Sequence, residues 1–583
     1  MDIKEFQPLS SLLKDIVENE SALSSDQCKC LSKYLKELEA SSVVIEPDYT
    51  DAGYLLDYSN YYSRCHDEFV KVTHRVHFFS CAVPDLNRMC DEALADPARE
   101  DDHLINAHYL GFIVIKPLPM TIIGRTCLKT YPRYDVNSRR TRSFPILREY
   151  HVSLHGISLS IRSIAFQEQD AEIAACSTAS IWYALHGLPK KITTPEIPAP
   201  FEITSGASAT YMKRSLGEVS RKFPTSGLGL EQIEAYFRTH GLDCIVCGVA
   251  LDKNSAQLCE YVAAYVSAGW PIILVGNLYT GRRRSTDFVK RGLHAVTALG
   301  YAEDPQFGAG NSANRIRRIF AHDDNLGPFT SFHIEQCRAG DFVRVIKGEN
   351  LGTPSVQSNV QAAIEGVMGT PFSSVEKALT GFLSNNSGLA GEGTTARKFA
   401  PEYLIIPINH KIRFPYESVS LFANQVAKTY ETRGGVWYAP GTTPPLISWS
   451  IRLLEVSQYR SQLRGCTTIS RDEVVDALYE SMPKYTWQLR FTTSIEAAEV
   501  TLMDFLFDAT ALRQSGGLYG MLSHQVGGKD HVFFSIVSAL LMAYKEDQIQ
   551  EVELEIQPII RTARDILEAE IRYARQFDGD PAD

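Results

Sequence analysis

Nucleophilic catalysis by a thiol needs a thiolate, a base that takes and returns its proton, and hydrogen-bond donors for the oxyanion formed at the attacked carbonyl. The middle of the chain holds residues for all three. Cys176 stands in AACSTASIWYALHGL (174–188), where Ile181, Trp182 and Leu185 fit one helix face and Gly187 suits the position just past the helix end. Ser177, Thr178 and Ser180 suit a helix start, so Cys176 falls where free N–H groups and the positive end of the helix dipole favour a thiolate. Upstream, FQEQDAEIAAC places Gln169 seven positions before Cys176. Its amide and the backbone N–H of Cys176 are the expected oxyanion donors, with Gln167 as the alternate.

The base is expected at His294, which opens the apolar strand LHAVTALGY (293–301), where a polar residue is costly unless exposed or paired. The following strand, RIRRIFAHDD (315–324), ends in Asp323 and Asp324. If the two strands are antiparallel neighbours, the start of the first lies beside the end of the second. A carboxylate then meets His294 and orients its ring. Asp323 is preferred for that part; the register leaves Asp324 open as the alternate.

These residues must be positioned by several elements. Helices are expected in 1–40, at 85–96, 228–242 (closed by Gly241) and 258–270. Strands are expected at 68–80, 110–119, 122–132, 150–161 and 271–276, and VNSRRTRSFP (136–145) reads as a basic loop. Beyond the centre, 385–397 is a Gly/Ser/Thr-rich loop, EYLIIPI a strand, and the stretches from Tyr416, Arg471 and Glu551 helices. VFFSIVSALLMAY (532–544) is too short to span a bilayer and reads as a core helix or a dimer face. The expectation is an α+β protein with an accessory α/β region at 1–150, a core at 151–345 and a second accessory α/β region at 346–583.

The order of Gln and Cys, helices, short strand, His strand and Asp strand end resembles papain-like cysteine peptidases over about 160–330. It is nearest to the bacterial branch that includes bacteriocin-leader peptidases, whose His strand typically ends in Gly-Tyr as LHAVTALGY does. The resemblance implies a helix carrying Cys176 packed on an antiparallel sheet carrying His294 and Asp323. It assigns Cys176 as nucleophile, His294 as base, Asp323 as orienter and Gln169 as oxyanion donor. It implies hydrolysis of a peptide or isopeptide bond, with no metal or cofactor. The sequence departs from the family in its longer Gln-to-Cys spacing and in Ala-Cys-Ser at the nucleophile. Large flanks suggest narrow specificity, a regulatory protein partner and a setting such as bacterial stress or defence. Two other readings share these residues: a Cys-dependent acyltransferase, and a degenerate peptidase fold used as a scaffold or sensor.

The 583 residues are 44% hydrophobic and 22% charged, as in globular proteins, and a net charge of −11 argues against a general nucleic-acid binder. The first twenty residues lack the apolar core of a secretory signal, no run is long enough for a membrane span, and 12 scattered cysteines fit reduced thiols in a cytoplasmic setting. Cys244 and Cys247 form a CxxC without a second ligand pair, on a strand where i and i+3 face opposite ways, so packing is expected. Cys28 and Cys30 read as packing or surface thiols, and His151 and His155 lack a third metal ligand. Arg139, Arg140 and Arg142, like Arg282, Arg283 and Arg284 with Lys290 and Arg291, read as solvated basic loops before an electropositive rim. No phosphate-cradling GxxxxGK[ST] or GxGxxG after a strand supports an ATPase or dehydrogenase.

Overall fold

A computed structural model describes residues 3–95, 103–135, 140–170, 172–189, 192, 196–210, 223–225, 227–249, 254–282, 288–304, 309–338, 379–385, 395–433, 445–495, 498–526, 529–530, 532–544, 549–550 and 552–577. The fold is α+β with largely antiparallel sheets, and the chain forms two compact units. The first comprises 1–258, 269–305 and 317–408; the second comprises 259–268, 306–316 and 409–583. The expected boundary at 150/151 falls inside the first unit, and the one at 345/346 lies outside the described residues.

The first unit opens with a sheet in chain order: β1 (Ile3–Glu5), β2 (Ser42–Tyr49), β3 (Thr73–Phe79), β4 (Tyr109–Ile115) and β5 (Ile123–Leu128). All seven residues of β4 are buried, which is why YLGFIVI is a continuous apolar run and not an alternating one. Gly111 is required there, because a Cβ would stand 2.0 Å from the Cys127 carbonyl oxygen and the backbone is left-handed at φ +117°. Between β1 and β2 the chain forms helices Leu9–Leu12, Glu20–Leu23 and Asp26–Glu37. The expected basic loop is in part strand. After β6 (Tyr134–Asp135), β7 (Arg140–Ser143) holds Arg142 buried between Asp135 at 3.0 Å and Glu37 at 3.2 Å, so ion pairing and not solvation sets its place. Arg139, Arg283 and Arg284 lie outside the described residues. The expected single strand at 150–161 is a hairpin, β8 (Arg148–Leu154) and β9 (Ile157–Ser163), because His155 and Gly156 both take positive φ, as a tight hairpin turn requires. His155 therefore sits in the turn, and His151 and His155 do not share a strand face.

A second sheet carries β10 (Leu242–Gly248), β11 (Ile272–Arg282), β12 (Phe288–Glu303), β14 (Ile316–Asp323), β15 (Gly327–Arg338), β16 (Leu379–Asn385) and β17 (Thr395–Asn409), with β6 and β7 beyond the end of β12. Its pairings close on themselves. The neighbours run β12, β14, β15, β16, β17, and β11 pairs with both β17 and β12, giving a ring of six strands. Closure removes the sheet edges that would otherwise expose unpaired backbone groups. Residues 386–394 of the expected loop lie outside the described residues, and Thr395–Arg397 already belong to β17.

The second unit has a five-stranded sheet in the order β13 (Gly310–Asn311), β18 (Ile447–Glu455), β19 (Tyr485–Ile495), β20 (Ala498–Asp508), β21 (Leu518–Ser523). Helices Tyr416–Arg433, Val532–Met542 and Gln557–Phe577 pack with it around Trp487, Phe491, Phe505 and Phe533. Phe533, Ile536, Val537 and Leu541 are buried, so the long apolar stretch forms a core helix. Among the described residues no helix is long and apolar enough to cross a membrane.

Candidate functional site

Helix Cys176–Gly187 begins at Cys176, after an extended Ala175 whose side chain offers no cap. The first backbone N–H groups of this helix are therefore not satisfied by a capping side chain. Ser177 through His186 are all buried, as expected for a helix packed on every side. Polar ties fix its pose. The Thr178 and Thr204 hydroxyls meet at 2.8 Å, and Thr204 donates onward to the Ile173 carbonyl at 2.8 Å. Thr297 of β12 donates to the Ser180 carbonyl at 3.0 Å, and Leu228 N–H donates to Ser177 Oγ at 2.8 Å. Gly187 is the last helical residue and not the one beyond it. Its smallness serves packing, since a Cβ would press on the Ile146 side chain at 3.0 Å. Gly241 does take the expected place after helix Leu230–Thr239, with φ +76°.

His294 does not open its strand; β12 begins six residues earlier, at Phe288, and is continuous through it. The ring lies 4% exposed, and the Cys176 thiol is among the groups that act on its protonation. Its Nε2 is 3.0 Å from Asp323 Oδ1 and 3.9 Å from Asp324 Oδ1. Asp323 is thus the partner, and with Nε2–H donating to it, Nδ1 is the atom left to exchange a proton with the thiol. A register shift between Ala321 and Asp323 in the pairing with β15 interrupts the alternation where the two carboxylates stand. Asp323 Oδ1 also accepts from Asn325 N–H at 3.0 Å, and Asn325 Nδ2 lies 3.4 Å from both ring nitrogens. The Phe399 ring meets His294 edge to face at 6.1 Å.

Burial alone pulls the His294 pKa down. The Asp323 and Asp324 charges, with hydrogen bonds to Asp323 and Cys176, outweigh it and hold the imidazole well above its ordinary value. Burial pushes Asp323 up, but the charge and hydrogen bond of His294, with Arg397 and the Asn325 N–H, bring it below the usual carboxylate range. Asp324 differs. Among the described residues neither of its carboxyl oxygens has a hydrogen-bond partner, and burial beside Asp323 raises it to about 7 despite the His294 charge. One carboxylate of the pair carries the charge and the other holds a proton, as like charges in one buried site demand.

The segment before the helix is pinned by the first sheet. Phe166 bridges Thr126, Glu168 N–H donates to the Ile123 carbonyl at 3.0 Å, and Ile123 N–H donates to Glu168 Oε2 at 3.1 Å. Burial raises Glu168 to about 7. The Tyr62 hydroxyl donates to Asp170 Oδ2, Tyr61 to Glu172 at 2.9 Å, and Tyr183 to the Gln167 carbonyl. Gln169, between the two buried acids, is half-buried, as is Gln167. Among the described residues neither amide has a hydrogen-bond partner, and neither joins the contacts among Cys176, His294 and Asp323.

His294, Asp323 and Asp324 also bring ligand atoms within 4.8 Å of one another, close enough to share a cation. Such an ion would need the His294 Nε2 that Asp323 already engages. Cys244 and Cys247 sit on β10, and burial pushes the Cys244 thiol well up. Cys28 rises to about 11 and Cys30 to about 12 by burial, as for packing thiols. Asn325, Arg397, Phe399 and the anchoring acids Glu168 and Asp170 were not singled out from sequence; only the run Asp-Asp-Asn hinted at the first. No family model, curated protein or solved structure matches the chain.

Proposed function

We propose that the chain is a papain-like cysteine peptidase with Cys176 as nucleophile. The observation that carries this reading is the line of groups from a thiol at a helix start, through His294, to Asp323 at 3.0 Å. Cys176 gives its proton to His294 Nδ1 and attacks a peptide or isopeptide carbonyl. Asp323 holds the ring and stabilises the imidazolium, and His294 then protonates the leaving amine. Water, activated by the now neutral imidazole, hydrolyses the thioester. The Cys176 N–H and the Gln169 amide are the oxyanion donors; the pinned backbone around Gln169 and its uncommitted amide support that part. Packing of the thiol helix on β12, the strand that carries His294, supports the family reading.

The test is cleavage of a proteome-derived peptide library, read by mass spectrometry as new termini, with Cys176→Ala as control. New termini that vanish in the variant and survive chelator support the peptidase. Products carrying an added amine would replace it with acyl transfer. Activity lost to chelator would favour a cation at His294, Asp323 and Asp324. Equal patterns from both proteins, together with ordinary Cys176 reactivity, would favour a scaffold.

A further inference from the structure

The second compact unit holds another thiol, imidazole and carboxylate, joined through a hydroxyl. Cys466 and Thr468 lie on the turn between helices Val456–Arg464 and Arg471–Tyr479. His524 follows β21, Asp504 is on β20, and Gln488 and Arg490 are on β19. Thr468 Oγ1 is 3.3 Å from Cys466 Sγ and 2.8 Å from His524 Nδ1, while Cys466 Sγ is 4.0 Å from the same nitrogen. On the far side, His524 Nε2 is 3.4 Å from Asp504 Oδ2. Asp504 is held by Arg490 through Nε and a terminal nitrogen, each at 2.7 Å, and by Gln488 at 2.9 Å. The Thr468 carbonyl accepts from Gln525 N–H, which fixes the turn against the strand end that carries His524.

Burial along this line is graded. Asp504 and His524 are 1% and 2% exposed, whereas Cys466 is half-buried. A buried His–Asp pair serving packing alone needs no outlet. Here the imidazole nitrogen opposite the carboxylate faces a hydroxyl that in turn faces the sulfur of the half-buried Cys466. One hydroxyl proton cannot serve both neighbours, so its direction reports where the thiol proton is. With the thiol protonated, Cys466 donates to Thr468 Oγ1 and Thr468 donates to Nδ1. With the proton passed on, Nδ1–H donates to Thr468 Oγ1 and the hydroxyl turns to the thiolate. Asp504, kept ionised by Arg490, stabilises the imidazolium that results.

We infer that Cys466 is a second reactive thiol, activated through Thr468 and His524, that exchanges with small disulfides. The Cys466 thiolate attacks one sulfur of a disulfide RSSR. The Cys466–SR bond forms, the S–S bond breaks, and RS⁻ leaves and takes up the proton that Cys466 released through Thr468 to His524. No further oxidant is consumed. Thr468 and His524 are positioning and proton-relay groups, and this site is independent of the chemistry proposed for Cys176.

The experiment uses the full chain carrying Cys176→Ala, so that the first thiol is silent, with oxidised glutathione as probe. Mixed disulfides are trapped in acid and mapped by mass spectrometry over time. Cys466 is expected to react about tenfold or more faster than the half-buried Cys65. Thr468→Val should slow Cys466 about tenfold and leave Cys65 unchanged, while Thr468→Ser, which restores the hydroxyl, should return most of the rate. His524→Gln should slow it similarly. Circular dichroism identifies any variant that fails to fold, and the comparison within the parent chain decides in that case. Reaction of Cys466 at the rate of Cys65, or Thr468→Val reacting as fast as its parent, would overturn the inference.

Discussion

His294 sits between two buried acids that behave differently, and that asymmetry is the most specific feature of the candidate site. Asp323 is ionised and hydrogen-bonded to the ring, whereas the Asp324 carboxyl has no hydrogen-bond partner among the described residues and is raised by burial to about 7. Their replacements should therefore differ. Asp323→Asn should lower kcat/KM for any substrate found by about a hundredfold or more, through loss of ring orientation and of the charge facing the imidazolium. Asp324→Asn, close to the protonated acid in shape and charge, should cost less than about tenfold below pH 7. Parallel kinetics on the two variants check this; equal losses would mean that both carboxylates act as one unit. Sequence placed an acid beside His294 but could not choose between adjacent Asp323 and Asp324, because a register shift of one residue exchanges them. The run Asp-Asp-Asn hinted at Asn325, but its amide's place 3.4 Å from both ring nitrogens depends on the same register.

At the scale of elements, the site depends on how tightly β11 passes its neighbours. Gly276 pairs with His294 on one side and with Pro401 of β17 on the other, at a register shift. A Cβ there would stand 1.9 Å from the Ala400 carbonyl oxygen and 2.6 Å from Pro401 Cα, and backbone cannot yield that far without opening the pair. Gly276→Ala should cost about 1–3 kcal/mol, read from the denaturant midpoint, and should lower activity by displacing His294. Unchanged stability would show that β11 and β17 do not approach so closely. The apolar strands were legible because β4 is a continuous hydrophobic run and β12 and β14 carry shorter ones, AVTALGY and IFA. The hairpin within 150–161 was not, since His155 gives little sign that it will take positive φ before Gly156. The ring closure was invisible as well. It joins β11 to β17 across more than a hundred residues, and local periodicity carries no information over that distance.

Over the whole molecule, burial has trapped several acids in their neutral forms. Asp57 rises to about 8, chiefly by burial, while accepting from Phe201 N–H at 3.0 Å. In the unfolded chain the same group titrates near 3.9. The folded state therefore binds the extra proton between about pH 4 and 8, and this group's contribution to stability falls as pH rises through that window. Asp57→Asn keeps the acceptor and removes the titration. The thermal midpoint of the variant should gain on that of the parent from pH 5 to pH 8, and a gap that does not change with pH would refute the assignment. Thermal melts of both proteins in matched buffers decide it. The sequence conveyed the α+β class and the central Cys, His and Asp, because these lie in short, strongly patterned segments. The line from Cys466 to Asp504 escaped notice because its members are spread over three elements and a turn, and meet only through tertiary packing.

The most direct test of the central claim is the reactivity of Cys176 itself. The folded chain and His294→Ala would be treated with limiting iodoacetamide from pH 5 to 9, with each modified cysteine mapped by mass spectrometry. The proposed thiolate–imidazolium pair predicts selective alkylation of Cys176 that persists down to about pH 6 and is lost in His294→Ala. Alkylation of Cys176 no faster than at the packing thiols Cys28 and Cys30, and unchanged by removal of His294, would contradict it.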